Sequence, residues 1–437
     1  MEQITKPHCG ARLDRLPDCR WHSSMFAIVA FGLLVCWSNA VGGLILAQLK
    51  ELGWTDNSTT ATFSAITTAG MFLGALVGGI IGDKTGRRNA FILYEAIHIA
   101  SMVVGAFSPN MDFLIACRFV MGVGLGALLV TLFAGFTEYM PGRNRGTWSS
   151  RVSFIGNWSY PLCSLIAMGL TPLISAEWNW RVQLLIPAIL SLIATALAWR
   201  YFPESPRWLE SRGRYQEAEK VMRSIEEGVI RQTGKPLPSV VIADDGKAPQ
   251  AVPYSALLTG VLLKRVILGS CVLIAMNVVQ YTLINWLPTI FMTQGINLKD
   301  SIVLNTMSMF GAPFGIFIAM LVMDKIPRKT MGVGLLILIA VLGYIYSLQT
   351  SMLLITLIGF FLITFVYMYV CYASAVYVPE IWPTEAKLRG SGLANAVGRI
   401  SGIAAPYAVA VLLSSYGVTG VFILLGAVSI IVAIAIA

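Results

Sequence analysis

The chain has 437 residues, of which 56% are hydrophobic and only 12% are charged, and its mean hydropathy is +0.73. Soluble domains carry roughly 25% charged residues, so this composition excludes a soluble multidomain enzyme and predicts a protein that lies in a lipid bilayer. The net charge of +9 comes largely from basic residues in short loops between apolar segments. That distribution is typical of membrane proteins, and we expect no nucleic acid partner.

The first 22 residues form a polar tail that contains four basic side chains: Lys6, Arg12, Arg15 and Arg20. The apolar run that follows is too long for a signal-peptide core and ends in no small-residue cleavage site. It therefore predicts a first transmembrane helix with a cytoplasmic N-terminus. The seven cysteines show neither a disulfide framework nor the spacing of a metal site.

Twelve apolar segments are long enough to cross a bilayer, whose apolar core of about 30 Å needs about 20 helical residues. Residues 89–111 form a span interrupted only by Glu95, whereas 330–379 and 400–437 each hold two spans. The other runs without Asp, Glu, Lys or Arg are 23–49, 57–82, 119–137, 152–176, 182–199, 266–298 and 301–323. The last run reaches Ala437 without a polar tail, so we expect the natural chain to continue.

Basic residues concentrate in alternate loops, which places those loops and both termini in the cytoplasm by the positive-inside rule. They are Lys84, Arg87, Arg88, Arg143, Arg145, Arg151, Lys325, Arg328, Lys329, Lys387 and Arg389. Residues 201–264 are polar and predict a cytoplasmic linker with an amphipathic helix at 213–230. The expected organisation is a tail at 1–22, one six-helix half at 23–200, this linker, and a second half at 265–437.

Two sequence signals recur with nearly one offset. Asp324 follows Asp83 by 241 residues, and Arg389-Gly390 follows Arg145-Gly146 by 244 residues. Two such signals indicate duplicated halves. Parallel repeats of this kind are a transporter architecture in which the binding site lies between the halves near mid-membrane.

The stretch from Gly79 to Arg88 resembles the signature loop of the major facilitator superfamily. Pro203-Glu204-Ser205-Pro206-Arg207 and Pro379-Glu380 resemble the sugar-porter branch. The resemblance implies an all-α membrane fold of twelve transmembrane helices in two six-helix pseudo-repeats. It also implies transport of sugars, polyols, organic acids or aromatic acids.

The same motifs imply gating charges that pair across the two halves when the inner gate is shut. They are Asp83, Arg87, Glu138, Arg145, Asp324, Arg328, Glu380 and Arg389. Breaking and remaking such pairs gives a two-state element of modest energy. The alternative is that these charges only set the topology.

Gly122, Gly124 and Gly126 look like half of a nucleotide-binding fingerprint. No strand precedes them and they lie in an apolar span, so the pattern predicts close helix packing instead.

Arg118 opens the fourth span and matches the arginine that sugar–proton symporters place opposite an aspartate on the first span. Here the first span carries Ser38 and Asn39 and no acid. Either Arg118 attracts an anionic substrate, or the protein is a facilitator or couples protons elsewhere. A third possibility is that Arg118 only reaches the interface and pairs with Asp112.

Three further ionisable residues lie within predicted spans, where such groups are costly and usually functional. Glu95 and His98 are three residues apart on one helical face and are candidates for proton coupling. The alternative is a structural pair near the cytoplasmic end. Arg399 either lines the cavity or pairs with Glu380.

Amide and aromatic side chains suit a polar metabolite, because amides pair with hydroxyls and aromatic faces stack on apolar sugar faces. Interfacial tyrosine is the alternative for several of them. The substrate-binding candidates are Asn39, Arg118, Asn157, Tyr160, Asn277, Gln280, Tyr281, Asn285, Trp286, Tyr372 and Arg399.

We therefore expect a monomeric secondary active transporter that moves a sugar, sugar acid or other organic acid across a bacterial inner membrane by alternating access. We expect proton coupling, with the proton as co-substrate and no cofactor, metal or enzymatic activity. The alternatives are an uncoupled facilitator or exporter of a neutral sugar or polyol, and a membrane sensor derived from a transporter. The sequence leaves substrate identity and direction open.

Overall fold

The computed structural model describes residues 7–17, 19–141, 145–240, 253–383 and 386–437, without the side chains of five residues. Those five are Phe133, Ala134, Arg145, Lys387 and Leu388. Within these ranges all regular structure is helical. Twelve transmembrane spans in two six-helix halves follow from the helices below. The end of the bundle next to residues 200–264 is called the linker side, and the opposite end the far side.

Six spans form the N-terminal half, and two of them are broken. Span 1 is interrupted between Val35 and Gly42, and span 5 at Trp158. The helices are Arg20–Val35 and Gly42–Glu51 (span 1), Asn57–Thr85 (span 2), Arg87–Ala106 (span 3), Met111–Tyr139 (span 4), Arg145–Asn157 and Ser159–Leu170 (span 5), and Ala176–Tyr201 (span 6).

The C-terminal half repeats this order. Its spans 11 and 12 follow each other directly and are separated by a kink at Gly417, where φ is +65°. The helices are Gly260–Thr293 (span 7), Leu298–Met309 and Gly311–Val322 (span 8), Arg328–Ser347 (span 9), Met352–Cys371 with Tyr372–Tyr377 and Val378–Glu380 (span 10), and Lys387–Ile436 (spans 11 and 12).

The spans divide into long and broken ones. In the described part of the chain, nine helices are long and apolar enough to cross a membrane. These nine do not include spans 1 and 5, each of which is split into two shorter helices, and they count spans 11 and 12 as one helix. With these three additions the total is twelve spans.

The internal sequence repeat is also visible in the glycines at which helices pack closely. A Cβ on Gly70 would lie 2.3 Å from the carbonyl oxygen of Phe119, and one on Gly74 2.1 Å from that of Val123. Gly311 and Gly315, each 241 residues later, make the equivalent approach of span 8 to span 10. The offset of 241 residues that separates Asp83 from Asp324 therefore also relates the closely packed spans 2 and 4 to the closely packed spans 8 and 10.

The glycines of span 4 have the packing role that their spacing predicts. A Cβ on Gly122 would lie 2.3 Å from the carbonyl oxygen of Thr67, and one on Gly126 2.1 Å from that of Met71. The prediction of close helix packing is confirmed.

The two halves contact each other from the far side to mid-depth. Asn57 donates to Ser414 at 2.9 Å, and Asn305 donates to Ser164 at 3.2 Å. Gly43 lies so close to span 7 that a Cβ would be 2.4 Å from the carbonyl oxygen of Ile284. The far side is therefore closed in this structure.

The linker carries helices Pro206–Ser211 and Tyr215–Thr233, and the second is the predicted amphipathic helix. Arg12 of the tail bonds both Glu219 and Glu226, and Arg15 bonds Glu226 at 2.6 Å. Burial would raise the pKa of Glu226, but the hydrogen bonds from the two arginines outweigh it and lower the pKa. The tail is therefore clamped to the linker at neutral pH. Residues 241–252 of the linker lie outside the described residues.

Gly74→Ala tests the close packing of spans 2 and 4. The new methyl group would meet the backbone of Val123, and overpacking of this kind typically costs about 1–3 kcal/mol. Gly79→Ala on the same helix is the control, because nothing lies within 4 Å of a Cβ there. We expect Gly74→Ala to lower the thermal unfolding temperature of purified protein in detergent and Gly79→Ala to leave it unchanged or slightly raised. Equal effects of the two substitutions would contradict this packing.

Candidate functional site

The break in span 1 creates the central feature of the N-terminal half. Between Val35 and Gly42 the backbone leaves the helical ladder, because Gly42 donates to Asn39 and the carbonyl of Ser38 is left free. Arg118 of span 4 donates from Nη1 to this carbonyl at 2.7 Å. The broken helix thus supplies a backbone acceptor to a buried cation.

Arg118 is only 1% exposed, and its other contacts are also uncharged. Its Nε donates to Thr67 at 3.2 Å, and its guanidinium lies 4.6 Å from the centre of the Phe63 ring. No carboxylate pairs with it among the described residues. The alternative that Arg118 reaches the interface and pairs with Asp112 is wrong, because Asp112 is exposed and Arg118 is held inside by these partners.

The remaining nitrogen of Arg118 lies at the boundary with the C-terminal half. Arg118 Nη2 is 2.9 Å and Asn285 Oδ1 3.3 Å from the point that a Cβ would occupy on Gly42. Nη2 makes no hydrogen bond within the described chain. Two N–H donors therefore remain available beside an amide from the opposite half.

A second polar cluster bridges the halves at mid-depth. The rings of Tyr160 and Tyr367 meet edge to face with centroids 5.4 Å apart, and Gln280 lies near the Tyr367 hydroxyl. Tyr281 lies against Gly402 and beside Thr68 of span 2. The structure thus brings together three of the candidate residues, Tyr160, Gln280 and Tyr281.

Other candidates lie apart from this cluster. Tyr372 is fully buried against Gly332 and stacks between Tyr369 and Tyr377, so its predicted place in the central cavity is wrong. It packs between spans 9 and 10 toward the linker side. Trp286 is fully buried in the core of the C-terminal half.

The remaining amide candidates bond their own helices. Asn157 donates to Ser153 and Asn277 donates to Leu273, each at 2.7 Å. Asn39 is half-buried in the break of span 1. Their substrate-binding roles stay predictions.

Arg399 does not pair with Glu380, since Glu380 bonds Arg328 instead. Arg399 is half-buried, and its Nη1 is buried without a hydrogen-bond partner in the described chain. Its place in the cavity stays a prediction.

Glu95 and His98 share one helical face as expected, with Oε2 and Nδ1 3.6 Å apart and both residues 0% exposed. The alternative that places them near the helix end is wrong, because both lie well inside span 3. Neither carboxylate oxygen makes a hydrogen bond within the described residues. Nε2 of His98 lies 2.7 Å from Oγ of Ser38, whose carbonyl accepts from Arg118. A continuous polar chain therefore joins Glu95 to Arg118.

The gating charges form two equivalent triads, one in each half, on the linker side. Arg87 bonds Asp83 at 2.7 Å and Glu138 at 2.9 Å. In the second half Arg328 bonds its two carboxylates at 3.0 Å each, and these are Asp324 and Glu380. Arg87 and Arg328 therefore each bond carboxylates of their own half in this structure and not those of the opposite half.

The last two gate candidates are less fully described. The side chain of Arg145 lies outside the described residues. Arg389 lies over the ring of Tyr254, with its guanidinium carbon 5.2 Å from the ring centre.

Sequence reasoning quoted Glu204 only as part of a motif and missed its contacts with span 3. Glu204 accepts from the backbone N–H groups of Arg87 and Arg88 and so caps span 3. Its carboxylate fills the space of a Cβ at Gly86, where φ is +98°, so only glycine fits there. The contacts of Ser38 with Arg118 and His98 were also missed. The polar pair of Ser38 and Asn39 inside an apolar run was the available signal.

Comparison with known proteins decides the family. Residues 26–406 match the family model described as Major Facilitator Superfamily. The chain belongs to the major facilitator superfamily.

Relatives agree with this assignment. The inner membrane metabolite transport protein YdjE of Escherichia coli is 44% identical over 98% of this chain and 94% of its own length. The niacin transporter NiaP of Acinetobacter baylyi is 24% identical over 91% of this chain and 89% of its own length. The xylose transporter XylE from E. coli, solved in a partially occluded inward open conformation, superimposes with a TM-score of 0.74 at 17% identity, covering 95% of this chain and 97% of XylE.

The twelve-span fold is thus confirmed. The protein is a membrane transporter of a small metabolite and not an enzyme.

Glu138→Gln and Asp83→Asn separate the two contacts of Arg87. The Glu138 side chain is 20% exposed and that of Asp83 is 63% exposed. Loss of the half-buried charged partner is expected to destabilise the protein by about 1.5–3 kcal/mol, and loss of the exposed one by less than about 1 kcal/mol. Thermal unfolding in detergent measures both. A larger loss for Asp83→Asn would contradict the ranking.

Proposed function

We propose that this transporter carries a small organic anion, with a carboxylate group bound by Arg118. The observation that supports it is the guanidinium of Arg118, which is buried without a carboxylate partner in the described chain. A buried cation with no carboxylate in direct contact is costly. A substrate carboxylate would be its direct ion-pair partner and accept charge-assisted hydrogen bonds from Nη2.

The surrounding residues suit the rest of such a substrate. Asn285 lies beside Nη2, and both lie at the boundary of the two halves. The tyrosine and glutamine cluster around Tyr160, Gln280 and Tyr281 offers an aromatic face and amide groups at mid-depth. A relative at 24% identity is named for niacin, which is an aromatic carboxylic acid.

A second candidate is a neutral sugar or polyol. The same amides and tyrosines favour it, since they would pair with hydroxyl groups. In that case Arg118 would serve only to hold the break of span 1 in place.

The transport cycle follows from the repeat. Rocking of the two halves would open two contacts between them, that of Asn57 with Ser414 and that of Asn305 with Ser164. The same motion would bring the linker-side triads together. Because the basic loops lie on the linker side, we assign that side and both termini to the cytoplasm, with the protein in a bacterial inner membrane. We propose a monomer that uses the proton as co-substrate.

Ligand-induced thermal stabilisation tests the proposal. Purified protein is heated with nicotinate, benzoate, D-glucuronate, D-gluconate, D-xylose or myo-inositol. A ligand that binds the folded state raises its stability by mass action, about 2.7 kcal/mol at a hundredfold excess over Kd. We expect stabilisation by one or more carboxylates and by neither neutral compound.

Two variants accompany this measurement. Arg118→Ala should abolish the stabilisation, and Arg118→Lys should weaken it, because lysine keeps the charge but loses the planar fork. Arg181→Ala is the control, since Arg181 bonds the carbonyls of Ala106 and Ser108 at the far end of span 3. Stabilisation by a neutral sugar that survives Arg118→Lys would replace the anion with the sugar or polyol.

A further inference from the structure

Span 3 holds a carboxylate that the substrate site does not use. Glu95 is 0% exposed, and its Oε2 lies 3.6 Å from Nδ1 of His98. Both carboxylate oxygens and Nδ1 lack hydrogen-bond partners within the described chain. An ionisable pair at this depth whose facing atoms lack hydrogen-bond partners points to a functional role.

The pair is connected to the substrate site. Nε2 of His98 contacts the hydroxyl of Ser38, and the carbonyl of the same serine accepts from Arg118. Ser38 lies in the break of span 1, so one residue contacts both His98 and Arg118. A change at His98 therefore reaches Arg118 through a single residue in the break of span 1.

Few other charged or titratable groups face this pair. Cys36 at the end of the first helix of span 1 is close enough to Glu95 to interact with it. Span 4 contributes Arg118 through Ser38. Spans 2 and 6 also pack against span 3, but their charged residues lie only toward their ends: Asp83, Lys84, Glu177, Arg181 and Arg200.

Counting the charges of Glu95, His98 and Arg118 gives a rule for coupling. With Glu95 ionised and His98 neutral, the empty site has no net charge. One proton on the pair leaves one positive charge, and a bound carboxylate without the proton leaves one negative charge. Proton and carboxylate together restore neutrality. Because net charge is costly in an apolar interior, the two singly loaded states are disfavoured.

We infer that Glu95 and His98 form the proton-carrying site of the transporter, and that one proton binds there with each substrate carboxylate. The proton enters from water by way of the Ser38 hydroxyl onto Nε2 of His98, while the proton on Nδ1 passes to Glu95. It leaves by the reverse route on the other side of the membrane after the substrate departs. This inference rests on the proposed carboxylate substrate.

Proton uptake on binding tests the inference. Weakly buffered protein in detergent is mixed with the carboxylate that stabilises it, and a pH dye records the change. We expect about one proton taken up per carboxylate bound, and a Kd that rises about tenfold per pH unit where uptake is complete.

Glu95→Gln and Glu95→Asp locate the proton. Glu95→Gln leaves the site permanently positive, so proton uptake is lost, Kd no longer depends on pH, and binding at high pH is tighter than in the parent. Glu95→Asp keeps an acid and should keep the uptake. Glu51→Gln, on an exposed carboxylate at the far side, is the control and should behave as the parent.

The outcomes separate the two proposals. Carboxylate binding that depends on Arg118 but takes up no proton, or uptake that persists in Glu95→Gln, overturns this inference and leaves the proposed function standing. Absence of carboxylate binding overturns both. If Glu95→Gln does not fold, the measurements on the parent and on Glu95→Asp decide. Carboxylate binding to the parent without proton uptake is by itself enough to contradict the inference.

Discussion

The buried guanidinium of Arg118 is the constraint around which the N-terminal half is arranged. A charged group at this depth must be solvated by the protein. The break of span 1 supplies the carbonyl of Ser38, span 2 supplies the hydroxyl of Thr67, and the ring of Phe63 covers one face. These contacts fix three spans relative to one another. They also leave Nη2 turned toward the other half, where a ligand would meet it.

The same structure packs each half tightly and joins the halves by close packing at Gly43 together with single hydrogen bonds. Within a half, glycines such as Gly74 bring backbones into contact, and packing of that kind tolerates little movement. Between the halves, the far-side contacts include single hydrogen bonds such as that of Asn57 with Ser414. Each is worth about 0.5–1.5 kcal/mol, so a substrate can supply the energy needed to exchange them for contacts on the linker side. The division favours rigid-body motion over reshaping of either half.

Much of the architecture could be predicted from the sequence, because hydropathy and the 241-residue offset report directly on spans and repeats. The absence of an acid in span 1 and the common face of Glu95 and His98 were also visible. The rotation of each helix about its own axis could not be read from the sequence. Span 10 is apolar all round, so the pattern could not show that Tyr372 packs against Gly332. The partners of Arg118 were hidden as well, since a free backbone carbonyl depends on where the helix breaks.

Charge movement during transport tests the central claim that a carboxylate and a proton compensate each other in one buried site. Protein is reconstituted into liposomes on a solid-supported membrane, and a monocarboxylate that stabilises it is added by rapid exchange. Symport of one anion with one proton moves no net charge, so we expect uptake of the labelled compound without a transport current and without response to membrane voltage. A current that carries negative charge with the substrate would contradict the account.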